Sequence, residues 1–305
     1  MIPGTVQRHF DYVLGPNQDG RLASVAAGQL IEGLVLKLDL DAPFILRSRA
    51  CRIQSDAEGG QLALEGLLLR WAGPERQFQS QNLIRQSLIG PYFGQVGNPM
   101  PVSPQVVYPR GGQILVDVLN DGSGAMTNLS LYFRGSKLYS PGDVKSYGYP
   151  STFGGLPFAY PQGQYSDTDG LTLVRNVAPI QAPLRQTFKV KGDADFVFRA
   201  GQAGNPFSGA PLLEVFATLK DEDEKPYSND AIHIDILFGN SGANQGFGSV
   251  TIGGGPNLPG IFYPEIYVPK NHLMYMDVSR NDTVVGRPTT QDIPFTFIGQ
   301  KVFAK

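Results

Sequence analysis

Apolar and polar residues alternate along most of this chain. Phe188 and Val190 are interleaved with Lys189 and Lys191, and Ile232, Ile234 and Ile236 with His233 and Asp235. A period of two turns one side-chain face to a core and the other to solvent, as in a half-buried strand. In the first half the pattern predicts strands in LVLKLDL (from Leu34), FILRSRACRIQ (from Phe44), QLALEGLLLRW (from Gln61), QILVDVLND (from Gln113) and LSLYFRG (from Leu129). In the second half it predicts them in TFKVKGD (from Thr187), DFVFRAG (from Asp195), LLEVFATLKD (from Leu212), AIHIDILFG (from Ala231), HLMYMDVSR (from His272) and PFTFIGQKVF (from Pro294). Helical spacing is weak. SQNLIRQSLIG (from Ser80) predicts two turns of helix, and LASVAAGQLIEGL (from Leu22) another short one. Many short strands with Gly/Pro punctuation predict an all-β fold.

The strand pattern occurs twice. PQVVYPRGGQILVDVLND, from Pro104, lies on PEIYVPKNHLMYMDVSRND, from Pro264, so that Pro109 meets Pro269, Asp117 meets Asp277 and Val118 meets Val278. Upstream, LKLDLDAPFILR faces FKVKGDADFVFR, pairing Asp41 with Asp193, Phe44 with Phe196 and Arg47 with Arg199. Between these anchors, Phe78 is laid on Tyr227 and Leu83 on Ile232. Downstream, Gly135 meets Gly299 and Lys137 meets Lys301. Such a repeat is too long for a solenoid unit and reads as a domain duplicated in tandem. The expected architecture is two tandem antiparallel β-sandwich or jelly-roll domains, residues 1–139 and 170–305. An aromatic, Gly/Pro-rich linker is expected at 140–169. Its rings are expected to pack between the domains or against a neighbouring subunit. Two long glycine-rich loops, from Gly90 and from Gly239, precede the matching Pro-bounded strands and are expected to form interfaces.

Turn chemistry fits the same frame. Asn120–Gly124 reads as a turn using positive-φ glycine, and Asp221–Pro226 as a solvated hairpin tip without calcium-loop spacing. Composition narrows the class. The single cysteine, Cys51, excludes an internal disulfide framework and reads as a buried thiol. The formal net charge of −2, with 17% charged residues, gives no basic stripe for wrapping nucleic acid. No apolar run approaches the ~20 residues of a membrane-spanning helix. The N-terminus lacks the pattern of a signal peptide, so the expectation is a soluble protein made in the cytoplasm and kept whole.

Candidate chemistry is sparse. His9, His233 and His272 lie on unrelated segments, with His233 on the polar side of its expected strand. No GxSxG, HExxH, phosphate loop or CxxC occurs, and Gly253-Gly254-Gly255 lacks the Lys-Ser/Thr that would follow in a phosphate loop. Asp117 and Asp277 read as a structural hydrogen-bonding position, and Asp41 and Asp193 as turn formers. Arg47 and Arg199 read as bonds to each domain's own loops. The expectation is a non-enzyme with no catalytic, cofactor-binding or metal-binding residue.

Each half closes on a Pro-bounded strand, then ILVDV or LMYMDV, then strand–Gly–x–Lys–x–aromatic (Gly135, Lys137, Tyr139; Gly299, Lys301, Phe303). With two tandem β domains and no catalytic constellation, the layout resembles viral coat proteins, in particular the double jelly-roll major capsid proteins of tailless phages. The resemblance implies upright barrels, three copies in a pseudo-hexagonal capsomer, and end loops that carry inter-subunit contacts. The partners implied are further copies of the chain and other virion proteins, with no sequence-specific nucleic-acid binding. The location implied is the virion, after synthesis in the host cytoplasm. The same closing pattern also resembles accessory head, collar or tail proteins of phages, and a sugar-binding tandem sandwich stays open beside both.

Overall fold

The computed structural model describes residues 6–53, 66–75, 78, 80–85, 100–140, 155–161, 174–179, 181–190, 192–203, 214–237, 260–281, 290–293 and 295–303. The chain divides into two compact units between Lys145 and Ser146, with Val96–Asn98 grouped with the second. The interfacial role expected of the two long loops falls almost wholly outside the described residues.

Unit 1 contains β1 (Val6–Leu14), β2 (Ser24–Val25), β3 (Leu30–Lys37), β4 (Phe44–Arg52), β5 (Leu67–Ala72), β6 (Ile84–Arg85), β7 (Met100–Tyr108), β8 (Gln113–Asn120), β9 (Met126–Thr127) and β10 (Ser130–Tyr139). Two four-stranded antiparallel sheets form, in the orders β1-β10-β4-β7 and β3-β8-β5-β6, with a small β2-β9 ladder beside them. Unit 2 contains β11 (Gly155–Pro161), β12 (Val174–Val177), β13 (Leu184–Lys189), β14 (Asp195–Ala203), β15 (Val215–Lys220), β16 (Ile232–His233), β17 (Gly260–Val268), β18 (Leu273–Arg280), β19 (Gln291–Ile293) and β20 (Phe295–Val302). Its sheets are β11-β20-β14-β17 and β13-β18-β15-β16, with a β12-β19 ladder. Setting the small ladders aside and numbering each unit's sheet strands in chain order, both units read 1-8-3-6 and 2-7-4-5. That winding, two facing four-stranded sheets from eight strands, is the jelly roll. The chain is all-β, with the same jelly-roll order in both units.

The core of unit 1 lies between its sheets. Phe44, Leu46, Leu131 and Phe133 from one sheet share it with Leu67, Leu69, Val116 and Val118 from the other. Rings interlock there, with Tyr12 edge-on to Phe44 at 4.9 Å. In unit 2, Phe297 stands edge-on to Phe188 at 4.7 Å and to Phe198 at 4.9 Å. Phe44 and Phe196 occupy the same place on β4 and β14, and both are fully buried, as are Val118 and Val278.

Several expectations change. A strand, β11, lies inside the segment read as a linker and pairs with β20 along its whole length. Pro157 and Pro161 argue against a strand in sequence, but β11 is an edge strand and needs no donor on its open side. The helix expected from Leu22 is replaced by a 3-10 turn, Gly20–Ala23, then β2 and β3. Gly28 and Gly33 there adopt φ of 73° and 66°, which no right-handed helix accommodates. The helix expected from Ser80 contains instead the short strand β6. The expected strand through Ile236 stops at His233 and passes into one helical turn, Ile234–Leu237, which buries Ile234 and Leu237 at i, i+3 spacing. The register also moves two matches by one residue. Ile84, not Leu83, is equivalent to Ile232, and Phe78 bridges Ala72 as Pro226, not Tyr227, bridges Lys220. Finally, the Asn120 turn is not held by positive-φ glycine. The Asn120 side chain donates to the carbonyls of Val25 and Gly124 and accepts from the Gly122 N–H.

Candidate functional site

The matched residues of the two halves converge on one structural device. In β4 the register steps from Leu46 to Ser48 opposite Gly135 and Arg134, so Arg47 is a bulged residue. In β14 it steps from Phe198 to Ala200 opposite Gly299 and Ile298, so Arg199 is the equivalent bulge. A bulge adds one residue to one strand and bends it toward its partner. Here it carries the Ile45 and Val197 carbonyls against the facing glycines. A Cβ on Gly135 would stand 1.9 Å from Ile45 O, and one on Gly299 1.8 Å from Val197 O.

The paired arginines bond to neighbouring strands rather than to loops. Arg47 donates to Gln7 Oε1 (2.7 Å) on β1 and to Ser136 Oγ (3.3 Å) on β10. Arg199, half exposed, pairs with Glu265 on β17 at 2.8 Å. The matched lysines tie down the matched aspartates. Lys137 Nζ lies 2.5 Å from Asp39 and 3.0 Å from Asp41, and stands 3.8 Å from the centre of the Phe10 ring. Lys301 Nζ lies 2.6 Å from Asp193. Asp41 also accepts from the Tyr139 hydroxyl at 2.6 Å. Burial raises the Asp41 pKa, but these hydrogen bonds outweigh it and hold the carboxyl below its usual range. The aspartates expected as turn formers do stand in a bend (Asp41) and a turn (Asp193), and they are also ion-pair partners of the closing strands.

Asp117 and Asp277 anchor the other sheet of each unit. Asp117 accepts from the Gly33 N–H (2.8 Å) and from Arg70 Nε (2.6 Å). Asp277 accepts from Arg185 (2.8 and 3.0 Å) and Lys220 (2.6 Å), and the Arg185 hydrogen bond is the main cause of its lowered pKa. Both positions take a cation from the equivalent strand, Arg70 on β5 and Lys220 on β15, and Asp277 takes a second, Arg185, from β13.

The histidines do not meet. His9 is buried on β1, with Nε2 3.2 Å from Asp11 Oδ2. His233 is fully buried, edge-on to Phe216 at 5.3 Å, where the sequence pattern put it on a polar side. His272 Nδ1 lies 2.5 Å from Glu222 Oε2. Among the described residues, no three His, Cys, Asp or Glu side chains gather as metal ligands. Cys51 is a buried free thiol.

Two inward-facing charged groups were not anticipated from the sequence, the first buried and the second half-buried. One is Asp11, whose carboxylate accepts from Arg134 Nε (3.0 Å) and from another Arg134 nitrogen at 3.0 Å, with all of His9, Asp11 and Arg134 about 2% exposed. Burial would raise the Asp11 pKa; Arg134 and His9 outweigh it and hold it down. The other is Arg49, whose guanidinium lies 3.9 Å from the centre of the Trp71 ring. The Arg47 bulge changes the side-chain parity of β4, so that Arg49 joins Phe133 and Cys51 on the inner face. The signal for an inward Arg49 was the run Phe44, Leu46, then Cys51, Ile53, whose apolar phase slips by one residue.

No protein family model and no curated protein matches the chain. Among solved structures, one similarity is to a chain of Sulfolobus Turreted Icosahedral Virus, at 13% identity over 96% of this chain and 91% of that one, with a TM-score of 0.26. Another is to the tandem CBM22-1-CBM22-2 domains of Paenibacillus barcinonensis Xyn10C, at 10% identity over 100% of this chain and 94% of that one, with a TM-score of 0.18. A third is to PNGF-II, at 10% identity over 97% of this chain and 65% of that one, with a TM-score of 0.21. Likeness at these scores carries no argument about function, and the jelly-roll assignment rests on the strand order alone.

Proposed function

We propose that the protein is a virion structural subunit that assembles with copies of itself, and with other virion proteins, into a shell. The reading is supported chiefly by one observation, the same eight-strand jelly-roll order twice in one chain. Each unit is a compact sandwich repeated in the chain, and its antiparallel sheets leave connecting loops available for contacts. The residues that recur in both halves fit this role. They hold bulges, ion pairs and sheet registers rather than converging on a reacting group. On this reading the protein catalyses no reaction, and its place of action is the particle.

Negative-stain electron microscopy of the purified protein tests the proposal, with sedimentation velocity giving the oligomer size. Trimers with a pseudo-hexagonal outline, or closed shells, are the expected result. A monodisperse monomer at high concentration that binds specific glycans on an array would overturn it in favour of a tandem sugar-binding module. Copies confined to one vertex, neck or tail of the source particle would assign the accessory role.

A further inference from the structure

The two units share one winding, so each serves as a reference for the other. Register places Arg49 opposite Phe133, and Gly201 opposite Phe297, at equivalent positions of the two folds. By the same route Trp71 is equivalent to Leu219, and Tyr108 to Val268. Unit 1 thus carries Arg, Trp and Tyr between its sheets where unit 2 carries Gly, Leu and Val. The sister unit shows that the winding itself does not require this cluster.

Its hydrogen bonding is incomplete. Arg49 Nε and Trp71 Nε1 are sealed from solvent and have no hydrogen-bond partner among the described residues. Arg49, half-buried, also has no carboxylate partner among them, whereas Arg134, fully buried on the same sheet, is matched by Asp11. Desolvation by burial lowers the Arg49 pKa to about 10. The Tyr108 hydroxyl donates to the Ala72 carbonyl at 3.2 Å, and neither Arg49 Nε nor Trp71 Nε1 bonds to it. A guanidinium offers five N–H donors and no acceptor, and buried donors without acceptors are rare. Among the described residues, this cluster lacks an acceptor carrying negative charge.

We propose that Arg49 and Trp71 form a binding site for one oxyanion, a phosphate or carboxylate group. Stacking on Trp71 fixes the guanidinium plane, which suits the fork-like recognition of such groups. The indole N–H adds a second type of donor, and neither side chain carries an acceptor that would repel a bound anion.

Trp71 is the only tryptophan of the chain, so its fluorescence reports on the site. The full-length protein is titrated with sodium phosphate, and separately with sodium acetate, each against sodium chloride at matched ionic strength. A saturable fluorescence change is expected, with a rise of about 2–4 °C in the thermal midpoint near saturation. A response to phosphate alone identifies a phosphoryl ligand, and a response to acetate identifies a carboxylate. Arg49→Met should abolish both effects, and Arg49→Lys, which keeps the charge but loses the fork, should weaken binding by about tenfold. Trp71→Phe, followed by the thermal midpoint, provides a second variant that keeps the ring and removes the N–H. If Arg49→Met does not fold, the wild-type titration and Trp71→Phe decide. A linear response equal to that in chloride, or a midpoint shift unchanged in Arg49→Met or Trp71→Phe, overturns the proposal.

Discussion

At Gly135 and Gly299 the tolerance for a single methyl group can be read from one distance each. The obstructing atom is a backbone carbonyl oxygen, 1.9 or 1.8 Å from the added Cβ, and it cannot rotate away as a side chain would. Gly135→Ala and Gly299→Ala should each destabilise their own unit by about 3 kcal/mol or more. Urea unfolding separates them, because Trp71 fluorescence follows unit 1 while circular dichroism follows both. Asp11 gives a second test, with a pH signature. Its folded-state pKa is lowered, so its contribution is complete above the ordinary carboxylate value and is lost as pH falls through the folded value below 3.8. Asp11→Asn should cost about 3–5 kcal/mol at neutral pH by leaving Arg134 buried without its counter-charge. The difference between wild type and Asp11→Asn should then shrink as pH drops below about 4. A difference constant down to pH 2, measured by urea unfolding at each pH, would show that the Asp11 charge contributes nothing to folding.

At the scale of elements, the matched arginines illustrate how far a repeat can be read. Their equivalence was legible because both follow an apolar triplet at the same offset from the matched phenylalanines. Their surroundings were not, because a bulge is a property of two paired strands and alternation is read along one. The same blindness hid Arg49, whose inward orientation follows from the parity change at Arg47. Edge position hid β11, since its prolines are tolerable only where one side of the strand is open. The helix from Leu22 read as plausible because positive-φ glycines, here Gly28 and Gly33, cannot be told from ordinary ones in sequence. The structure therefore separates what the sequence treats alike. Arg47 is partly buried and bonded to two strands, and Arg199 is half exposed with one surface ion pair. Arg47→Ala should cost about 1.5–3 kcal/mol, and Arg199→Ala no more than about 1 kcal/mol. Equal losses in the two variants, by urea unfolding, would mean that the bulge itself rather than the local bonding sets the effect.

For the whole molecule, duplication was legible because ordered anchors recur and so was the class of sandwich or jelly roll, but the pairing order within each winding was not, because alternation does not say which strands pair. That winding is what makes a shell subunit the preferred reading, and charge then shapes how such subunits should associate. With a formal net charge of −2 on 305 residues, copies repel one another weakly, and long-range attraction between them is equally weak. Assembly should accordingly depend little on screening. Raising the ionic strength from about 0.01 M to about 1 M shortens the Debye length from about 30 Å to about 3 Å, which removes most long-range electrostatics between exposed groups. If the subunits meet through apolar surface and short hydrogen bonds, sedimentation velocity should give an association constant that changes by less than about tenfold over that range. A fall of several orders of magnitude would show that contacts between oppositely charged patches hold the assembly together. The sites to mutate would then be the half-exposed ion-pair residues, such as Arg199 and Asp193, rather than apolar surface.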